Sequence, residues 1–134
     1  MTRTQEREQA FILIFESEFQ DGAASDLIAA ARETMNWADS AYVDKTVSEV
    51  MEKKAEIDAS FAAFLKKGWS IDRLAKVPLA LLRLAVYEIT SSDDVPASVA
   101  INEAVELCKK YATESDAAYL NGVLGSFVRA GEAE

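Results

Sequence analysis

Turn-forming residues are so sparse in this chain that it has little with which to reverse direction often: five glycines and two prolines serve 134 residues. An all-β fold draws on such residues at every hairpin, whereas alanine and leucine, both common here, favour helices. The chain is therefore expected to be all-α, a compact bundle of about seven helices. A single domain of this length removes roughly two-thirds of its unfolded surface from water, which is enough to hold a core without disulfides or metals.

The apolar spacing places the helices. Thr2 and Gln5 can form a capping box for a first helix that buries Phe11, Phe15 and Phe19, with Gly22 ending it. A second helix is expected from about Ser25 to Asn36. A third starts at Asp39 or Ser40 and carries a stripe of Val43, Val47, Val50 and Met51, and a fourth runs through Ile57, Phe61, Phe64 and Leu65 to Gly68. Ser70 can cap a short piece over Ile71 to Leu74. Pro78 and Pro96 each read as the first residue of a helix, since a missing N–H costs nothing there. The helix after Pro96 turns Ile101, Val105 and Cys108 inward. Ser115 or Asp116 caps the last helix, with Leu120, Val123, Leu124 and Phe127 buried, and the tail from Gly131 to Glu134 is expected to fray. We read one domain, 1–134, with helical subdomains of about 1–68 and 69–130.

The residue set narrows the chemistry. There is no histidine and one cysteine, Cys108, so an internal disulfide, a Ser/His/Asp or Cys/His nucleophile and a cysteine-based zinc site are all excluded. No phosphate-binding glycine loop is present, since Gly122 and Gly125 lie in a helical pattern. No catalytic residue, cofactor or metal is expected, and the chain reads as a binding protein rather than an enzyme. Cys108 on an apolar face reads as a small buried hydrophobe, and Trp37 and Trp69 as packing anchors. The amino terminus carries Arg3, Glu6, Arg7 and Glu8 before a short apolar run from Phe11 to Phe15, which is neither a signal peptide nor a membrane span. A cytoplasmic protein is expected. Its formal net charge of −9 repels nucleic acid at long range, so any RNA contact must be local or assisted by a basic partner.

Three segments, in order and spacing, carry a resemblance: Leu82-Arg83-Leu84-Ala85-Val86-Tyr87-Glu88, then Val95 to Leu107 (VPASVAINEAVEL), then Asn121-Gly122-Val123-Leu124. Together with Arg7-Glu8-Gln9-Ala10 leading into Phe15, they resemble the NusB family of transcription antitermination factors over essentially the whole chain. The resemblance implies a two-subdomain helical bundle that binds boxA-type single-stranded RNA in ribosomal RNA leaders. It also implies partnership with NusE, a small-subunit ribosomal protein, in an antitermination complex on RNA polymerase. It leaves open both a monomer and a homodimer covering the RNA face.

Carried onto this sequence, the resemblance places RNA contacts at Arg3, Arg7, Phe15 and Tyr119. Arg3 and Arg7 are what stands here for a longer arginine-rich stretch; two arginines at one helical end can hold a few phosphates or stack on an unpaired base, or else pair with Glu6 and Glu8. Phe15 replaces a common tyrosine, and Ala117 and Ala118 stand where a lysine often precedes the aromatic at Tyr119. Lys66, Lys67, Arg73 and Lys76 form a second basic group around Trp69, either an extension of the RNA path or a helix-end charge cluster. Arg83, mid-helix among leucines, needs a carboxylate, for which Glu88 and Glu103 are candidates; with Asn102 these read as a structural polar network tying two helices together. Gly122 in a helix suggests a neighbouring helix close by. Two alternatives differ from an RNA-binding adapter. One is a NusB-like protein-interaction scaffold with weak or lost RNA binding, motivated by the thin arginine content. The other is a domain associated with an RNA methyltransferase; since no catalytic domain follows Glu134, a stand-alone factor is expected.

Overall fold

The computed structural model describes residues 1–133, and among these it contains seven α-helices and no strand. The chain divides into two compact units, Met1–Lys53 and Lys54 onward. The expected boundary near residue 68 is therefore displaced towards the amino terminus. The fourth helix, α4 (Lys54–Phe61), packs on α5 (Lys76–Ser91), and its Asp58 is paired with Arg83 of α5.

The Met1–Lys53 unit holds α1 (Arg3–Glu16), α2 (Ala24–Met35) and α3 (Ala41–Glu52). The capping box forms as its spacing predicts: the Thr2 hydroxyl accepts from the Gln5 N–H at 3.1 Å, and the Gln5 side chain accepts from the Thr2 N–H at 2.8 Å. The α1 core is Ala10, Phe11, Leu13 and Ile14, facing Val43, Val47 and Val50 of α3. Phe15 is half-buried and Phe19 is 61 % exposed, because α1 stops at Glu16. There Ser17 donates its hydroxyl to the Ile14 carbonyl, so the spacing of four runs past the end of the helix. Asn36 closes α2 in the left-handed region, and Ser40 caps α3 by accepting from the Val43 N–H.

In the second unit α4 is followed by a 3₁₀ turn at Ala62–Phe64, another at Ile71–Arg73, and then α5, α6 (Ala97–Tyr111) and α7 (Glu114–Ala133). Every residue of α5 from Pro78 to Glu88 is buried, so the helix is enclosed on all sides among α4, α6 and α7, with Arg83 and Glu88 the charged residues inside that run. Pro78 is the third helical residue rather than the first, still within the turn whose N–H groups have no partner in the helix. Pro96 is the residue before α6. The buried stripe of α6 is Ala100, Ala104, Leu107 and Cys108; Ile101 and Val105, expected inward, are half-exposed because the two alanines turn the contact face one residue back. Thr113, not Ser115 or Asp116, caps α7 by accepting from the Asp116 N–H at 3.0 Å. The inner face of α7 is Ala117, Leu120, Val123 and Leu124, while Phe127 is half-buried and meets Phe64 edge-on at 6.0 Å. The helix continues through Ala133, so the tail is helical where fraying was expected; Glu134 lies outside the described residues. Gly122 is exposed, and a Cβ there would meet nothing within 4 Å, so no neighbouring helix explains it.

Candidate nucleic-acid interface

At the start of α1 the capping box fixes the first turn, and Arg3 and Arg7 follow one turn apart on one side of the helix. Both guanidinium groups face the ring of Tyr42, the second residue of α3: Arg3 lies 4.3 Å and Arg7 6.0 Å from its centroid. Their surroundings differ. The Arg3 side chain is 56 % exposed and approaches Glu6 at 3.8 Å, whereas Arg7 is buried. Glu6 is held from the other side by the hydroxyl of Ser40, which also caps α3. The arrangement is a cation–π stack braced by one acid, with Arg3 outermost. Arg7, read from the sequence as an RNA contact or a partner of Glu6 and Glu8, is buried on the far side of this stack from solvent. Tyr42 had no place in the apolar stripe of α3, which is why periodicity passed over it.

Phe15 is not brought to this cluster. It lies twelve residues along α1 from Arg3, about 18 Å at helical rise, in a row with Phe11 at 6.2 Å and Phe19 at 5.1 Å.

In the second unit, Tyr119 of α7 accepts the backbone N–H of Lys66 at 2.8 Å, and its ring lies 5.4 Å from that of Trp69. The Lys66 ammonium sits 5.9 Å from the Trp69 ring. The turn that presents them is made by Gly68 at φ +84° and by the Trp69 N–H donating to the Lys66 carbonyl. Trp69, expected as a packing anchor, is 45 % exposed. Lys67, Arg73 and Lys76 are exposed along the same segment.

Arg83 has a different role. It is 4 % exposed, and its guanidinium forks onto Asp58, Nε and Nη2 each 2.8 Å from a separate carboxylate oxygen. Asp58 stands 25 residues earlier in the chain, on a helix that the resemblance segments do not include. Glu88 is buried and Glu103 half-buried, but Asn102 is exposed. It lines an open groove of α6 and α7 with Ser98, Lys109 and Asn121, outside the proposed network. Cys108 is fully buried, and burial, with the negative charge of Asp116 second, pushes its thiol up to about 11. It is an inert core residue.

The chain matches the family model of the NusB family over residues 4–129. It is 44 % identical over 131 residues to transcription antitermination protein NusB of Agathobacter rectalis, covering 95 % of this chain and 99 % of that protein. It is 42 % identical over 126 residues to the NusB protein of Listeria monocytogenes, covering 94 % and 95 %. Among solved structures, NusB from Aquifex aeolicus superposes with a TM-score of 0.83 at 30 % identity, over 98 % of this chain and 90 % of that one. A chain from a complex of antitermination factors NusB and NusE with double-stranded RNA superposes at 0.82 with 28 % identity, over 97 % and 99 %.

Proposed function

The chain belongs to the NusB family, and from that premise we propose that it is a transcription antitermination factor, a non-catalytic adapter that joins RNA to a basic protein. The RNA is a boxA-type single strand of a ribosomal RNA leader, the partner is NusE, and the two together with this chain act on RNA polymerase in the cytoplasm. The observation that carries the RNA part is the exposed Arg3 guanidinium, held on Tyr42 at the tip of α1. Fixed there, it loses little freedom when it meets a phosphate or an unpaired base. Arg7 positions Tyr42 from below, and Tyr119 offers a second contact beside Lys66. Phe15 is assigned to packing with Phe11 and Phe19.

The charge arithmetic makes this an assisted binder. Against a net charge of −9, two or three phosphate contacts hold RNA weakly, and a basic partner drawn to the acidic surface supplies the rest. Gel-shift titrations with and without NusE test the reading: the partner should raise apparent RNA affinity by a coupling of about 1–3 kcal/mol, roughly five- to 150-fold. No gain from the partner contradicts it. A homodimer that covered the α1 tip would withhold Arg3, so RNA should shift a dimer towards monomer in sedimentation.

A second reading, a scaffold that has kept protein binding and lost RNA binding, is favoured by one observation: Arg7 is buried and Glu6 stands against Arg3. Arg3→Ala separates the two, since the scaffold reading expects no effect on RNA recruitment.

A further inference from the structure

The Trp69 ring is an unusual thing for this chain to display. Large apolar residues elsewhere in the second unit are mostly withdrawn from water, Val99 and Tyr111 aside, yet Trp69 is 45 % exposed. It is also held in place. Tyr119 supports it at 5.4 Å with the ring planes 42° apart, and Tyr119 is itself pinned by its hydroxyl to the Lys66 backbone. The Lys66 ammonium lies 5.9 Å from the indole. In a chain with 23 acids and 14 basic residues, the segment from residue 66 to 76 reverses the balance, with Lys66, Lys67, Arg73 and Lys76 against Asp72 alone.

A fixed, half-open aromatic residue beside a lysine, on the most basic stretch of an acidic chain, has the parts of a single-strand stacking site: an aromatic face for a base and a cation for the phosphate next to it. An acidic peptide would satisfy the lysines but would leave the indole face unused. An apolar peptide would use the indole but not the surrounding charge. From this we infer that Trp69 is a stacking platform for one unpaired nucleobase of an RNA strand, with Lys66 and Lys67 on the adjoining phosphates. The inference rests on the reading that this chain binds RNA, and it adds a base-contacting residue in the second unit.

The chain's two tryptophans make the site directly observable. In a Trp37→Phe background the only indole emission comes from Trp69. Titrating that variant with a 5′-labelled single-stranded RNA oligomer reads stacking as quenching and total binding as label anisotropy, in one cuvette. Saturable quenching of Trp69 that tracks the anisotropy is expected. In the wild-type background Trp69→Ala should weaken RNA binding by roughly five- to 150-fold, the usual range for one stacked base, and Trp69→Phe should recover most of it. Lys66→Gln should flatten the slope of log affinity against log salt by about 0.7. A merely structural Trp69 would show no quenching that tracks the anisotropy. RNA binding at wild-type strength by Trp69→Ala, with Trp69 unquenched in the reporter variant, overturns the platform and leaves the adapter reading standing. Quenching by the basic partner alone, and not by RNA, also overturns it and makes the ledge a protein contact. No anisotropy change with or without the partner overturns both.

Discussion

Arg83 inside the Lys54-onward unit and Arg3 at the tip of the Met1–Lys53 unit carry the same side chain under opposite conditions. Arg83 is 4 % exposed and forked onto Asp58 by two 2.8 Å bonds. Arg3 is more than half exposed and is held by a ring and one acid at 3.8 Å. A buried pair is expensive to break because the remaining charge has no water, whereas an exposed pair contributes at most about 1 kcal/mol. The segment from Leu82 to Glu88, one of the three that carry the family resemblance, therefore serves the interior. Recognition is left to groups that the fold holds in place but leaves open to water.

That contrast can be broken most forcefully at Asp58. Asp58→Ala should cost about 3 kcal/mol or more in urea unfolding, since it removes the fork from a buried guanidinium, and adding Arg83→Met should recover part of the loss. A cost below 1 kcal/mol would put Arg83 in the same class as Arg3.

Cys108 sharpens the picture of the interior. Its thiol is neutral in the folded chain up to about 11, against 9.0 unperturbed. The unfolded chain thus releases this proton first, and stability should fall as pH rises from 9 towards 11, by up to about 2–3 kcal/mol. Cys108→Ala should flatten that part of the pH profile, and a thiol reagent should label native protein no faster than it unfolds.

The smallest effect belongs to the surface. Gly122→Ala should stabilise the fold by about 0.5–1 kcal/mol, because the glycine is mid-helix and a Cβ there meets open space. A loss of stability would restore the expectation that a neighbour approaches this face.

What the sequence reveals depends on how far apart the interacting parts lie. The Thr2–Gln5 capping box, the Ser40 cap and the buried valines of α3 are legible because each is set by residues within a turn or two. The end of α1 is not, because the Phe11, Phe15, Phe19 spacing continues after the Ser17 hydroxyl has already closed the helix. Asp58 escapes notice as the partner of Arg83 because only the packing of α4 on α5 brings them together. Tyr42 lies off the apolar stripe of α3, so only the packing of α1 on α3 reveals the cations beside its ring, and Trp69 reads as a packing anchor until its exposure is known. The resemblance implies Tyr119 as an RNA contact, but the ring and the lysine that accompany it come from the fold.

If this chain grips RNA by a few contacts led by Arg3 and depends on a cationic companion for the rest, its RNA affinity must respond only weakly to salt. Each phosphate neutralised on a single strand contributes roughly −0.7 to the slope of log affinity against log salt, so the isolated protein should give about −2. Arg3→Ala should remove one such step while changing stability by less than about 0.5 kcal/mol. A steep slope for the isolated protein, or one that Arg3→Ala leaves unchanged, would contradict the account.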